Sequence, residues 1–297
     1  MNDVQDSTFY YYDKAFSEFD FVFAKDAFIA AQFAWIHQNK DKTTAYLVKG
    51  AQSGLTSSCL YESPIMTSFT NSRFYDEVYM AMKDANAGFE STIDAEQRKD
   101  WRARFDEQKL DLINNEEGDF LSAVVRNVEQ VKKLISTGNY PGEKIIGLSD
   151  DYKQLGNPDV FYAMANYDCV ISEMHDALWD AVKKGQMHPR EFATLWEWEY
   201  IRSAQRQDLL NKKVLRYIAG KFVILGFKDH PYIKTNRNCS AKIQKVKHFR
   251  LLLDLTDVND EDINRDRQMY FITSLELDKK KAELEGTKGF RFFFENK

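Results

Sequence analysis

An all-α fold follows from three features of this 297-residue sequence. Glycine and proline are scarce, at 13 and 5, and strands with their turns consume both. Apolar residues recur three and four apart over long stretches, the period of a helix with one buried face. Aromatics are abundant, with 22 Phe, 15 Tyr and 5 Trp, and such side chains fill wide helix–helix interfaces. The expected architecture is a solenoid-like helical module over residues 1–137 packed on a helical module over residues 138–297, with at most a minor β element near the C-terminus.

The elements follow in order. "FVFAKDAFIAAQFAWIHQN" (21–39) predicts a helix that turns Phe28, Ala31, Phe33, Ala34 and Trp35 to a partner. "KDK" breaks it. "KTTAYLVKGAQSGL" predicts a second helix, with Tyr46, Leu47 and Ala51 inward and Gly54 as its C-terminal cap. Small residues set the contact: Ala27, Ala31 and Ala34 on one helix face Gly50 on the other. Residues 91–136 carry a charged helical pattern through Trp101, Phe105, Leu110, Phe120, Val124, Val128 and Val131, with Gly118 between two helices. Residues 136–151, with Gly138, Pro141 and Gly142, read as a loop. A long helix is expected over 158–184, ended by Gly185, and another begins near Pro189. "VLRYIAGKFVILGF" reads as helix or as helix then strand, and "SAKIQKVKHFRLLLDL" as a basic helix. "NDEDINRDRQMYFITSLELDKKKAEL" reads as one charged helix capped by Asn259. The tail "GFRFFFENK" suits an edge strand or a packed strap.

Two resemblances attach to these stretches. Residues 21 to about 79 resemble a degenerate tetratricopeptide-type helix pair, with Thr43 and Gly50 at the small positions where that family prefers alanine. "LYESPIMTSFTNSRFYDEVY", closing on Arg73 and Phe74, resembles the tail that follows such repeats in bacterial, chiefly Bacteroidota, proteins. "GNYPGEKIIG" to "GQMHPREFATLWEW" is similar to a largely Bacteroidota family of hypothetical proteins through Gly138, Pro141, Gly142, Gly185, Pro189 and Ala193. These are loop and cap positions, so the resemblance implies a fold and no chemistry. A tetratricopeptide-like pair implies helical packing and protein–protein interaction.

Charge and cysteine content exclude some classes. The net charge is −5 and the pI about 5.7, which argues against nucleic-acid binding, since that needs a positive field. The six Lys and Arg of residues 231–253 read as a solvated face or as partners of the acidic "DVNDEDINRD" downstream. That acidic run lacks the glycine and glutamate of a calcium loop, having Asp262 and Gln268 in their places. Cys59, Cys169 and Cys239 lie far apart with no CxxC, and read as reduced thiols. "MNDVQDSTFYYYDKAF" has neither the basic nor the apolar part of a signal peptide. A cytoplasmic protein without a membrane span or cofactor is expected.

The chemical candidates are few. In "HPREF", Pro189 suits a first helical turn and His188 its cap, so a helix start explains the motif better than a catalytic histidine does. Glu173 and His175 are two apart and diverge on a helix, which speaks against a metal site. "WEWEY" puts aromatics on more than one side of its helix. It reads either as buried or as an aromatic groove for a protein or peptide. The groove would be formed by Trp196, Trp198 and Tyr200, with Glu197, Glu199, Arg202 and Arg206 at its rim, and His188 is a further binding candidate. The reading is a non-catalytic protein- or peptide-binding helical protein: an adaptor, a partner subunit of an enzyme, or an immunity-type protein. The alternative is an enzyme with its site in a cleft between the modules.

Overall fold

The computed structural model describes residues 2–114, 117–148, 155–156, 158–167, 169–203 and 260–292. Among them the fold is all-α, without a strand. The chain forms two compact units: Met1–Ala95 with Gly142–Asn157 and Glu283–Lys297, and Glu96–Pro141 with Pro158–Ala282.

The first unit is built on a helix hairpin. Helix α1 spans Asn2–Glu18, α2 Ala24–Ile36 and α3 Lys40–Ala51. The α2–α3 turn is three residues long and carries Gln38 in the left-handed region at φ 57°, and Asn39 caps α3 by accepting from the Lys42 amide. Ala24, Ala27, Phe28, Ala30, Ala31 and Ala34 are wholly buried on α2. A Cβ on Gly50 would stand 3.2 Å from the Ala27 Cβ and 2.8 Å from Leu55 Cδ2. The small-residue contact expected from the sequence is therefore present, and its closeness is why a side chain is missing at 50. Gly54 follows at φ 96°, the backbone a glycine after a helix end adopts.

Around the hairpin lie a 3₁₀ turn Ser57–Glu62, α4 Pro64–Thr70 and α5 Tyr75–Glu90. α5 packs on α3, and α4 on α2. Helix α1 was not visible as an element in the sequence reading, although Phe9, Tyr12 and Phe16 place one apolar face on this core. Tyr46 Oη donates to Asp13 at 2.9 Å and ties α1 to α3. The residue before α2, Phe23, stands at its N-cap and offers no capping side chain. Glu143, buried at the start of the short α8 (Glu143–Ile146), accepts instead from the Ala24 amide at 3.3 Å. The tail 289–292 is a packed strap and not a strand. Phe290 and Phe292 enter the core beside Phe33. The buried Gln32 amide accepts from Arg291 N at 2.7 Å and donates to Arg291 O at 2.9 Å, which satisfies both polar groups of that residue's backbone.

The second unit holds α6 Ala95–Asn114, α7 Glu117–Ser136, α9 Pro158–Ala165, α10 Val170–Lys183, α11 Pro189–Ser203, α12 Asp260–Met269 and the start of α13 Leu275–Lys288. Phe120, Val124, Val128 and Val131 form one buried stripe on α7. Helices α7, α9, α10 and α11 pack pairwise.

Two expected helices are each broken in two. The long helix of 158–184 stops at Ala165 and restarts at Val170. Its new start has no side-chain cap of its own at Cys169. Glu199 from α11 supplies one, accepting from the amides of Ile171 at 2.5 Å and Ser172 at 3.2 Å. The charged helix of 259–284 is broken between Met269 and Leu275, where Phe271 takes a left-handed conformation and Ser274 opens the next helix through the Leu277 amide. Asn259, the two stretches "VLRYIAGKFVILGF" and "SAKIQKVKHFRLLLDL", the basic patch and Cys239 lie outside the described residues.

Candidate functional site

The site begins at the α10–α11 turn of the second unit. His188 is buried, and its ring Nδ1 accepts from the Arg190 amide at 3.1 Å. Pro189 then occupies the first position of α11. The histidine therefore works as a helix cap. From there α11 carries Phe192 and Trp196 inward, 0% and 5% exposed. Four ring contacts of 5.0 to 5.7 Å join Trp196 to His175, Phe192 and Tyr270, and His175 to Phe192. His175 also pairs with Asp176 at 2.9 Å.

This cluster reaches the surface at Trp179 and Phe271. Their rings stack at 5.4 Å with 14° between planes, and Phe271 is 65% exposed. Phe271 closes α12 by a Schellman-type turn: the Ile272 amide donates to Arg267 O at 2.8 Å and the Phe271 amide to Gln268 O at 3.1 Å. Phe271 sits at φ 56°, in the slot glycine usually fills. A left-handed conformation costs a side-chain-bearing residue roughly 1–2 kcal/mol.

Beneath this turn lies a buried ion network. Asp278 of α13 is 3% exposed and Arg267 of α12 1%. Arg267 pairs with Asp278 and donates through Nε to Thr273 O at 2.6 Å. Arg190 of α11 reaches both carboxylate oxygens at 2.7 and 2.8 Å. Thr273 donates to Oδ1 at 2.6 Å. Burial pushes the Asp278 carboxyl upward, but Arg190 and Arg267 outweigh it and hold it below the ordinary carboxylate range. Burial pulls the Arg267 guanidinium below its usual value, with Asp278 opposing. The network fixes the α12–α13 turn against the start of α11, and so fixes where the Phe271 ring stands.

The sequence-nominated residues divide clearly. Trp196 is buried in the aromatic cluster, and His188 is buried at the start of the same helix as its cap, with the Arg190 amide as its partner. Glu199 is also buried, as the cap of α10, and does not stand at a groove rim. The side chains of Glu197, Trp198, Tyr200, Arg202 and Arg206 lie outside the described residues. Trp179, Tyr270 and Phe271 were missed. Trp179 sits four after His175 and three before Val182 on α10, and the "QMYFITS" stretch holds two adjacent aromatics inside a supposed solvent helix, which was the available signal. Among the described residues no three His, Cys, Asp or Glu side chains gather in a metal-holding group. Cys169 is disulfide-bonded, so the reading of three reduced thiols fails there, and with it the thiol argument for a reducing compartment. Cys59 is free and buried.

Comparison with protein-family models, with curated proteins and with solved structures finds no match to this chain. No helix among the described residues is long and apolar enough to cross a membrane.

Proposed function

We propose that this chain is a non-catalytic helical protein that binds a protein or peptide partner, and that the Trp179–Phe271 ledge is where the partner docks. The observation that carries this reading is Phe271: a large ring, mostly exposed, in a backbone slot that glycine fills at less cost. Trp and Tyr are the side chains that anchor interfaces, and Trp196 and Tyr270 back the ledge with a fixed aromatic wall. An acidic chain of net charge −5 favours a basic or apolar partner. The α2–α3 hairpin, with Gly50 against Ala27, supports reading the first unit as a tetratricopeptide-like interaction module.

The test compares wild type with Phe271→Gly and Trp179→Ala in capture from the native source and in thermal melts. Phe271→Gly is expected to lose the captured partner with the melting temperature unchanged or raised. If the glycine variant captures the same partner as strongly as wild type does, the ledge is not the docking surface.

A further inference from the structure

A cavity of about 180 Å³ opens in the first unit, far in sequence from the ledge residues. Its lining is Leu55, Thr56, Ser57, Tyr79, Met82, Lys83 and Asn86. Four of these share one face of α5, because Tyr79, Met82, Lys83 and Asn86 are spaced three, four and seven apart. The remainder is the segment that leaves α3. That segment is held in place by the turn at Gly54 and by the Leu55 amide, which donates to Gly50 O at 2.9 Å. Leu55 and Met82 give the cavity an apolar floor, 0% and 2% exposed.

The polar lining is unbalanced. Asn86 Nδ2 is buried without a hydrogen-bond partner, and a buried donor left unpaired is costly. Lys83 makes no ion pair among the described residues and is exposed at the mouth. The Thr56 hydroxyl is engaged with Cys59 Sγ at 3.5 Å and the Ser57 hydroxyl with Tyr75, which leaves Asn86 and Lys83 as the free donors. The lining contains no Asp or Glu. An unpaired buried donor and an ammonium in one lining, with no carboxylate among them, fit an anionic acceptor.

We infer that this pocket binds a carboxylate carried on a short apolar arm. The carboxylate takes Asn86 Nδ2 and the Lys83 ammonium, and the arm lies on Leu55 and Met82. At about 30 Å³ per water the cavity holds roughly six waters, which suits one terminal residue of a peptide or one small acid. Peptide terminus and free small acid present the same chemistry, and the experiment separates them.

The experiment uses the full chain and follows the Asn86 side-chain amide by ¹⁵N–¹H NMR, with calorimetry alongside. The probes are N-acetyl-leucine, N-acetyl-leucinamide, and a hexapeptide ending in leucine with a free carboxylate. N-acetyl-leucine is expected to shift the Asn86 amide with an affinity of about 1 mM. The amide should bind roughly three- to tenfold more weakly, since it lacks the charge. Lys83→Ala should erase that preference and Lys83→Arg should keep it. Tighter binding of the hexapeptide than of the single residue identifies a peptide terminus as the source, and equal or weaker binding identifies a small acid. Either supports the pocket as a carboxylate site. Equal binding of acid and amide by wild type, no shift at about 10 mM of the acid, or a preference untouched by Lys83→Ala overturns it. Lys83 is exposed, so its variants report binding and not folding. The ledge has a separate readout in partner capture, so failure of one leaves the other standing.

Discussion

Asp278→Asn isolates the charge at the centre of the buried network. The substitution keeps the shape and a hydrogen-bond partner for Thr273, and removes only the carboxylate. What remains is Arg267, 1% exposed, with Arg190 beside it at 20% side-chain exposure, and Lys281, whose Nζ stands 3.8 Å from Asp278 Oδ1. Two guanidinium groups then face each other across a site with no described anion within pairing distance of Arg267. Removing one partner of a buried pair costs about 3–5 kcal/mol, because the other charge stays desolvated. For a unit of this size that lowers the melting temperature by roughly 6–20 °C. Urea unfolding followed by circular dichroism measures the free energy. Adding Arg267→Met to Asp278→Asn should recover most of the loss, since the orphaned charge is gone. The pH dependence has a definite sign. Asp278 has a depressed carboxyl pKa in the folded chain, so its stabilisation is present above the ordinary aspartate pKa of about 3.9 and is lost as pH falls through the lower folded value. Wild type should therefore lose stability below about pH 4 more steeply than Asp278→Asn does. A cost under about 1 kcal/mol for Asp278→Asn, or no recovery in the double variant, would refute the account of a buried, mutually dependent ion cluster.

Three further outcomes follow from the packing. Gly50→Leu should cost on the order of 1–3 kcal/mol by overpacking, because Ala27 and Leu55 already stand 3.2 and 2.8 Å from where its Cβ must go; thermal melts check it, and no loss would mean that the hairpin is open there. Glu199→Ala strands the Ile171 and Ser172 amides and should cost about 1–3 kcal/mol, read by urea unfolding and by faster hydrogen exchange at the start of α10. Thiol titration of the unfolded, unreduced chain should find fewer than three reactive groups, because Cys169 is bonded. Cys59, with its thiol pushed up by burial, should react only after unfolding.

What the sequence disclosed was whatever depends on near neighbours. The α2–α3 hairpin was legible because its small residues repeat at helical spacing and Gly54 marks its end. The start of α11 was legible because His188, Pro189 and the preceding Gly185 are all local punctuation. What the sequence did not disclose turns on partners far along the chain. Phe23 and Cys169 are poor caps, and the helices that follow them are completed by Glu143, 119 residues away, and by Glu199, 27 residues from Ser172. Gln32 looks like a polar intrusion on an alanine-rich face until Arg291, 259 residues on, supplies the backbone it serves.

Asp278 makes the same point for charge. In "LELDKKKAEL" it reads as one acid among lysines on a solvated helix, since Lys279, Lys280 and Lys281 follow it directly. Its side chain instead turns to Arg267, eleven residues back, and to Arg190, eighty-eight back. Helical period separates the faces of α13, and residues 275 and 278 are the buried pair on it. The period therefore did carry the burial of position 278. The identity of that residue, an acid where an apolar side chain is expected, hid it. A charged residue that keeps step with a buried stripe predicts an opposite charge on a facing element. In this chain that rule would have led from Asp278 to Arg267, and from Arg267 to the turn that lifts Phe271 into solvent.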